Sequence, residues 1–234
     1  DEMDRLPHFR PPAILLPHGT VGNSASGIAP DVSKGKFGPF REQLFVADQT
    51  HSVINRCFLE KVNGYYQGAC FPFVKGFGSG NVPVVQASDG SLFSGGTDRG
   101  WGARGGKRYA LDRVVWTGKT PFEILEMRIK KDGFELEFTK PVDKKTAESL
   151  ESYEMKTHTY IFQGKYGSPR VDASTPSIKT AKLAKDGKTV RLVIEGMQRG
   201  HVHELKSGGV RSKEENHPLL HDMAYYTIWN FPKS

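Results

Sequence analysis

Cysteine is scarce, long apolar runs are missing, and helical periodicity is almost absent from this chain of 234 residues. Two cysteines, Cys57 and Cys70, cannot make the dense disulfide framework of a small secreted scaffold or a four-thiolate zinc site. Without a Cys-x-x-Cys-His run, covalent haem attachment within this chain is excluded. No stretch approaches the ~20 apolar residues of a membrane span, so no span is expected. The acidic start Asp1-Glu2-Met3-Asp4 lacks the basic and apolar regions of a signal peptide. No nucleophile elbow and no carboxylate pair in a site-like loop appear, which leaves hydrolysis without support. The net charge of +7 comes from lysines and arginines scattered along the chain, so nucleic-acid binding is not expected.

What is present is turn chemistry. Glycine (26), proline (14) and 11% aromatics, with few helical patterns, predict many short strands joined by tight turns: an all-β fold. The clearest hairpin lies in the run Arg56 to Cys70, which folds about Asn63-Gly64. A type I′ turn needs positive φ at both central residues, and Asn-Gly supplies that most readily. Counting outward from that turn puts Cys57 opposite Cys70 at a non-hydrogen-bonded position, close enough for a disulfide and hence an oxidising compartment. The alternative is two reduced, buried cysteines packing like valines.

Three segments follow from the texture. Residues 1–36 read as a connector and loop: a proline-stiffened stretch over 5–12, a short apolar strand at Ala13-Ile14-Leu15-Leu16, then loop chemistry from Thr20 to Lys36. This start reads as the middle of a longer or processed protein. Residues 37–118 carry two units of one plan at roughly 40-residue spacing, as propeller blades do. The first holds strands at Gln43–Asp48, Val53–Leu59 and Tyr65–Phe73. The second holds Val82–Gln86, Ser91–Gly95 and Arg108–Trp116. In residues 119–234, Phe134, Leu136 and Phe138 alternate with glutamates, and Val190, Leu192 and Ile194 repeat the pattern after an Asp186-Gly187 turn. With one short helix after a capping Asp143, this describes an immunoglobulin-like sandwich, although the Cys…Trp…Cys signature is absent.

Candidate sites gather in loops. Gly95 to Gly106 contains six glycines around Asp98, Arg99, Trp101 and Arg104. Gly100-x-Gly102-x-x-Gly105 matches a dinucleotide fingerprint by letter, but a strand follows it where the fingerprint needs a helix. What remains is an indole, two guanidiniums and a carboxylate, suited either to stacking on a sugar and gripping its hydroxyls or to packing between blades. His51, in the turn after Asp48, either faces the same mouth or points to solvent. His201 and His203 share a strand face with Leu205, which suits a core role better than a metal grip lacking a third ligand, so no metal site is assigned. His217 and His221 flank Pro218-Leu219-Leu220. Tyr160, Phe162, Tyr166, Tyr225, Tyr226 and Trp229 offer either a carbohydrate-stacking surface or core packing.

The runs Leu44–Asp48, Asn55–Leu59 and Ser88–Phe93 resemble the later blades of the soluble quinoprotein glucose and sorbosone dehydrogenase-like propeller superfamily. With Phe134–Asp143, Gly200–Leu205 and Ala224-Tyr225-Tyr226, the chain from about Pro11 onward is similar to the C-terminal half of large secreted bacterial dehydrogenase-like proteins, in which an immunoglobulin-like domain follows the propeller. The resemblance implies a periplasmic or extracellular location, with PQQ and calcium in the parent and no cofactor in this chain alone. Catalytic residues stay unknown, because in such relatives they come from earlier blades. Two blades cannot close a ring, so the missing blades or another polypeptide are the implied partners, with carbohydrate as a further ligand class. A non-catalytic carbohydrate- or protein-binding module at the cell surface is the alternative.

Overall fold

In the computed structural model, residues 9–165 and 167–233 are described; Tyr166 and the first half of the proline-stiffened stretch lie outside them. Strand accounts for 48% and helix for 4%, so the chain is all-β, built from several antiparallel sheets. The longest sheet has eight strands. Its first four run in sequence order: β1 (Ala25–Pro30), β2 (Leu44–Asp48), β3 (Val53–Val62) and β4 (Tyr65–Lys75). Beyond β4 the sheet continues through β15 (Met223–Ile228), β14 (His201–Lys206), β10 (Glu154–Tyr160) and β11 (Arg170–Ser174). A three-stranded sheet holds β5 (Asn81–Gln86), β6 (Leu92–Thr97) and β7 (Tyr109–Val114). A four-stranded sheet orders β12 (Ser177–Leu183), β13 (Thr189–Glu195), β9 (Gly133–Phe138) and β8 (Ile124–Lys130).

Period-2 alternation decides which side of the long sheet each residue occupies. On β3, Ile54 and Phe58 face one way, and on the neighbouring strands so do Phe45, Ala69, Phe71 and Tyr226. This face carries both small sheets. Near β1–β3 it packs on Val84 and Leu92 of the three-stranded sheet, with Phe37, Phe40 and Phe77 between. Farther along it packs on Met127, Phe134, Leu136 and Leu192 of the four-stranded sheet. The opposite face holds Val46, Cys57, Cys70, Val202 and Tyr225, and the segment Ile14 to Val21 lies across it. That segment is apolar as expected but is not a strand; it is fixed by Leu15 N donating to Thr227 Oγ1 at 2.9 Å.

The Asn63-Gly64 turn forms, with φ of 50° and 89°, and β3 pairs β4 so that Cys57 stands opposite Cys70. The disulfide does not form: both are buried free thiols. Burial, reinforced by the Cys57 thiol beside it, pushes the Cys70 pKa well up, so the thiolate needed for oxidation is disfavoured. A second correction concerns the expected loop over 20–36, which contains β1. Gly27 explains why it can: a Cβ there would sit 2.4 Å from Val82 O, so β1 and β5 approach backbone to backbone. The helix after Asp143 is present at Lys144–Glu148, and the Asp143 carboxylate accepts from Thr146 N.

Candidate functional site

Asp48 ends β2 and is almost fully buried. Its Oδ2 accepts from Asn23 N at 2.8 Å and Ser24 N at 2.7 Å, and its Oδ1 accepts from His51 N at 2.7 Å. One carboxylate thereby fixes both the entry to β1 and the β2–β3 turn. The turn then grips the glycine-rich loop. Gln49 Nε2 donates to Thr97 O at 2.9 Å and to Trp101 O at 2.7 Å. The Trp101 indole donates to Thr50 Oγ1 at 3.0 Å, Arg104 N donates to Thr50 O at 3.0 Å, and Gly105 N donates to Ser52 Oγ at 2.9 Å.

The two loops singled out in the sequence therefore meet. Gly95 and Gly96 belong to β6, so the loop proper begins at Asp98. Trp101 is 58% exposed although its indole N–H is tethered, which leaves ring surface facing water. Arg99 and Arg104 are exposed, and among the described residues neither guanidinium has an ion-pair partner. Asp98 is half-buried at the loop's base, its N–H donating to Arg108 O. His51 is buried and does not point to solvent. Burial first, then the Arg104 charge, hold its pKa below the ordinary value, outweighing Asp48. The loop thus presents an exposed indole and two guanidiniums, equipment for hydroxyl and anion recognition, while the His51 imidazole stays buried.

Three other histidines are held by structural partners. His203 is fully buried against Phe134, with ring centroids 6.0 Å apart, and its Nε2 accepts from Gln198 N at 3.2 Å. Burial drops its pKa to about 3. His201, on the same strand, bonds Arg199 O and Asp172 Oδ2, each at 3.0 Å. His221 meets the buried Glu123 at 2.8 Å, whereas His217 is exposed. Tyr225 and Tyr226 are buried in core layers and offer no stacking surface. Tyr160 and Phe162 are half-buried, and Trp229 lines a separate cleft. Among the described residues no three His, Cys, Asp or Glu side chains converge as a metal site.

One polar cluster had no sequence signal, because the pairing of β10 with β14 and β11 is not readable from spacing. Glu204 accepts from Arg170 at 2.9 Å and lies 3.4 Å from His158, whose Nε2 bonds Tyr160 OH at 3.1 Å. Arg170 also donates to Thr20 Oγ1 at 2.5 Å, tying the crossing N-terminal segment to this end of the sheet. Burial lowers the His158 pKa to about 4. Compared with protein-family models, curated proteins and solved structures, the chain finds no match in any of the three.

Proposed function

We propose that this chain is a C-terminal part of a secreted propeller protein resembling the quinoprotein sugar dehydrogenases, located in the periplasm or outside the cell. In this reading β1–β4 and β5–β7 are two adjacent blades, and the strands after Thr117 form an immunoglobulin-like sandwich that buttresses them. The chain's share is scaffolding plus one wall of a ligand mouth, supplied by Asp98, Arg99, Trp101 and Arg104, with the buried His51 beneath the turn that holds them and not in the wall itself. One observation carries the reading: the first strands of two successive meanders abut at Gly27, and their connecting loops interlock at one end through Trp101 and Thr50. Blades in a ring meet in that way, with ligands at the loop end. The reading places calcium and PQQ in the parent; among the described residues no three His, Cys, Asp or Glu side chains converge to hold a metal, and no step is routed through either group.

The test is dye reduction by the parent protein with added PQQ and calcium over a panel of aldoses. Turnover that falls in Trp101→Ala supports the reading; turnover indifferent to that change removes the loop from the mouth. A second reading, a non-catalytic module that docks another chain, is favoured by the outer face of β5–β7. There Tyr109 (68%) and Leu111 (76%) are exposed on β7, an edge strand without a further partner among the described residues, and Val85 (61%) is exposed on β5 across the same sheet. Silence across the panel with retained partner or glycan binding selects it.

A further inference from the structure

At the tip of the β3–β4 hairpin, away from the loop end, a cleft of about 450 Å³ opens between the tip, the segment before Ile14 and the end of β15. Its volume falls in the range of small-ligand sites, roughly 300–1,000 Å³. The lining combines four aromatic rings, Phe9, Tyr65, Tyr66 and Trp229, with two guanidiniums, Arg10 and Arg199, and the amide of Asn230. Among the described residues no carboxylate lines it. The parts are held in place by their own bonds. Asn63 Nδ2 donates to Phe231 O at 2.8 Å, and the Trp229 indole donates to Pro12 O at 2.8 Å. Arg199 Nε donates to Trp229 O at 2.6 Å, while Arg10 lies 5.1 Å from the Tyr65 ring centroid and donates to its hydroxyl at 3.2 Å. Among the described residues neither arginine has a carboxylate partner, so donors on both forks remain for a ligand. Tyr65 and Tyr66 are 46% and 60% exposed.

We infer that this cleft binds a saccharide carrying an acidic group, its ring stacked on tyrosine or indole and its anion held by Arg10 and Arg199. Aromatic faces beside sugar-sized space recognise the apolar face of a pyranose, and paired forks recognise a carboxylate or sulfate. A neutral sugar would leave both guanidiniums unanswered, and a simple anion would leave the rings unused. The inference does not rest on the proposed mouth, which uses other residues at another end of the sheet.

The full chain is titrated calorimetrically with tetragalacturonate, with its neutral methyl ester and with a chondroitin sulfate tetrasaccharide. Binding of the acid, with the ester about tenfold or more weaker, is expected. Tighter binding of the sulfated probe assigns the anion as sulfate, and weaker binding assigns it as carboxylate. Tyr66→Ala and Arg199→Gln alter exposed side chains on different elements and should each weaken binding about tenfold, Tyr66→Ala with Tm unchanged and Arg199→Gln with a small drop from the lost bond to Trp229 O; Arg10→Gln repeats the test from a third segment. Equal affinity for acid and ester, no binding at millimolar concentration, or affinity unmoved in all three variants would overturn the inference.

Discussion

At the residue scale, burial decides chemical behaviour more than residue type does. Cys57 and Cys70 face each other across a ladder, yet both sit in the layer covered by the segment from Ile14 to Val21. The intact mass is therefore expected to stay constant on reduction, and a thiol reagent should modify both cysteines only after denaturation; a gain of about 2 Da on reduction would mean they are bridged. His158 and His203 make a pH prediction with a definite sign. Both have folded pKa values below the ordinary 6.5, so the unfolded chain binds more protons. Their stabilisation is complete above pH 6.5 and is lost as pH falls toward about 4 and about 3. Between pH 7 and 5, above most carboxylate titrations, each contributes a loss on the order of 2 kcal/mol. The urea midpoint should drop over that interval, and His203→Phe should flatten the drop; a midpoint constant from pH 7 to 5 contradicts the assignment.

At the element scale, local chemistry was legible and pairing between distant elements was not. Asn63-Gly64 specified a turn because few residue pairs tolerate two positive φ angles. Replacing both with alanine should cost about 1 kcal/mol or more, since Asn63 also loses its bond to Phe231 O; an unchanged melting curve would argue against that role. Alternation announced β9 and β13, and Asp143 announced its helix. The stretch Thr20 to Lys36 concealed β1 because its residues are small and polar, and its strand character comes from β2 and the close approach of β5 at Gly27. His51 was misjudged for a related reason. A turn residue is normally wet, but the loop that buries this one arrives from some fifty residues later, through Arg104 N and Thr50 O. Of the candidate site, the residue types were legible in the sequence, and their meeting was not.

At the scale of the whole molecule, one long sheet carries two small ones on the same face, and Arg56 marks the seam between their cores. Its guanidinium lies 4.6 Å from the Phe40 ring centroid and 4.4 Å from that of Phe71. It donates to Gln43 Oε1 and Ile124 O at 2.5 Å and to Leu125 O at 2.8 Å, binding strands of the N-terminal half to the start of β8. Full burial lowers its pKa to about 10, still charged at neutral pH. Arg56→Met should cost about 2–4 kcal/mol, because buried acceptors from two halves lose their donor together; a loss below 1 kcal/mol by urea unfolding would show the halves hold without it. The functional claim rests at the far end, where the β2–β3 turn grips the glycine-rich loop and leaves Trp101 tethered but exposed. The most direct measurement follows the three indole N–H resonances of the full chain during titration with neutral aldoses. The account predicts that the Trp101 resonance shifts and saturates while Trp116 and Trp229 stay fixed; a Trp101 signal unmoved at saturating sugar would contradict it.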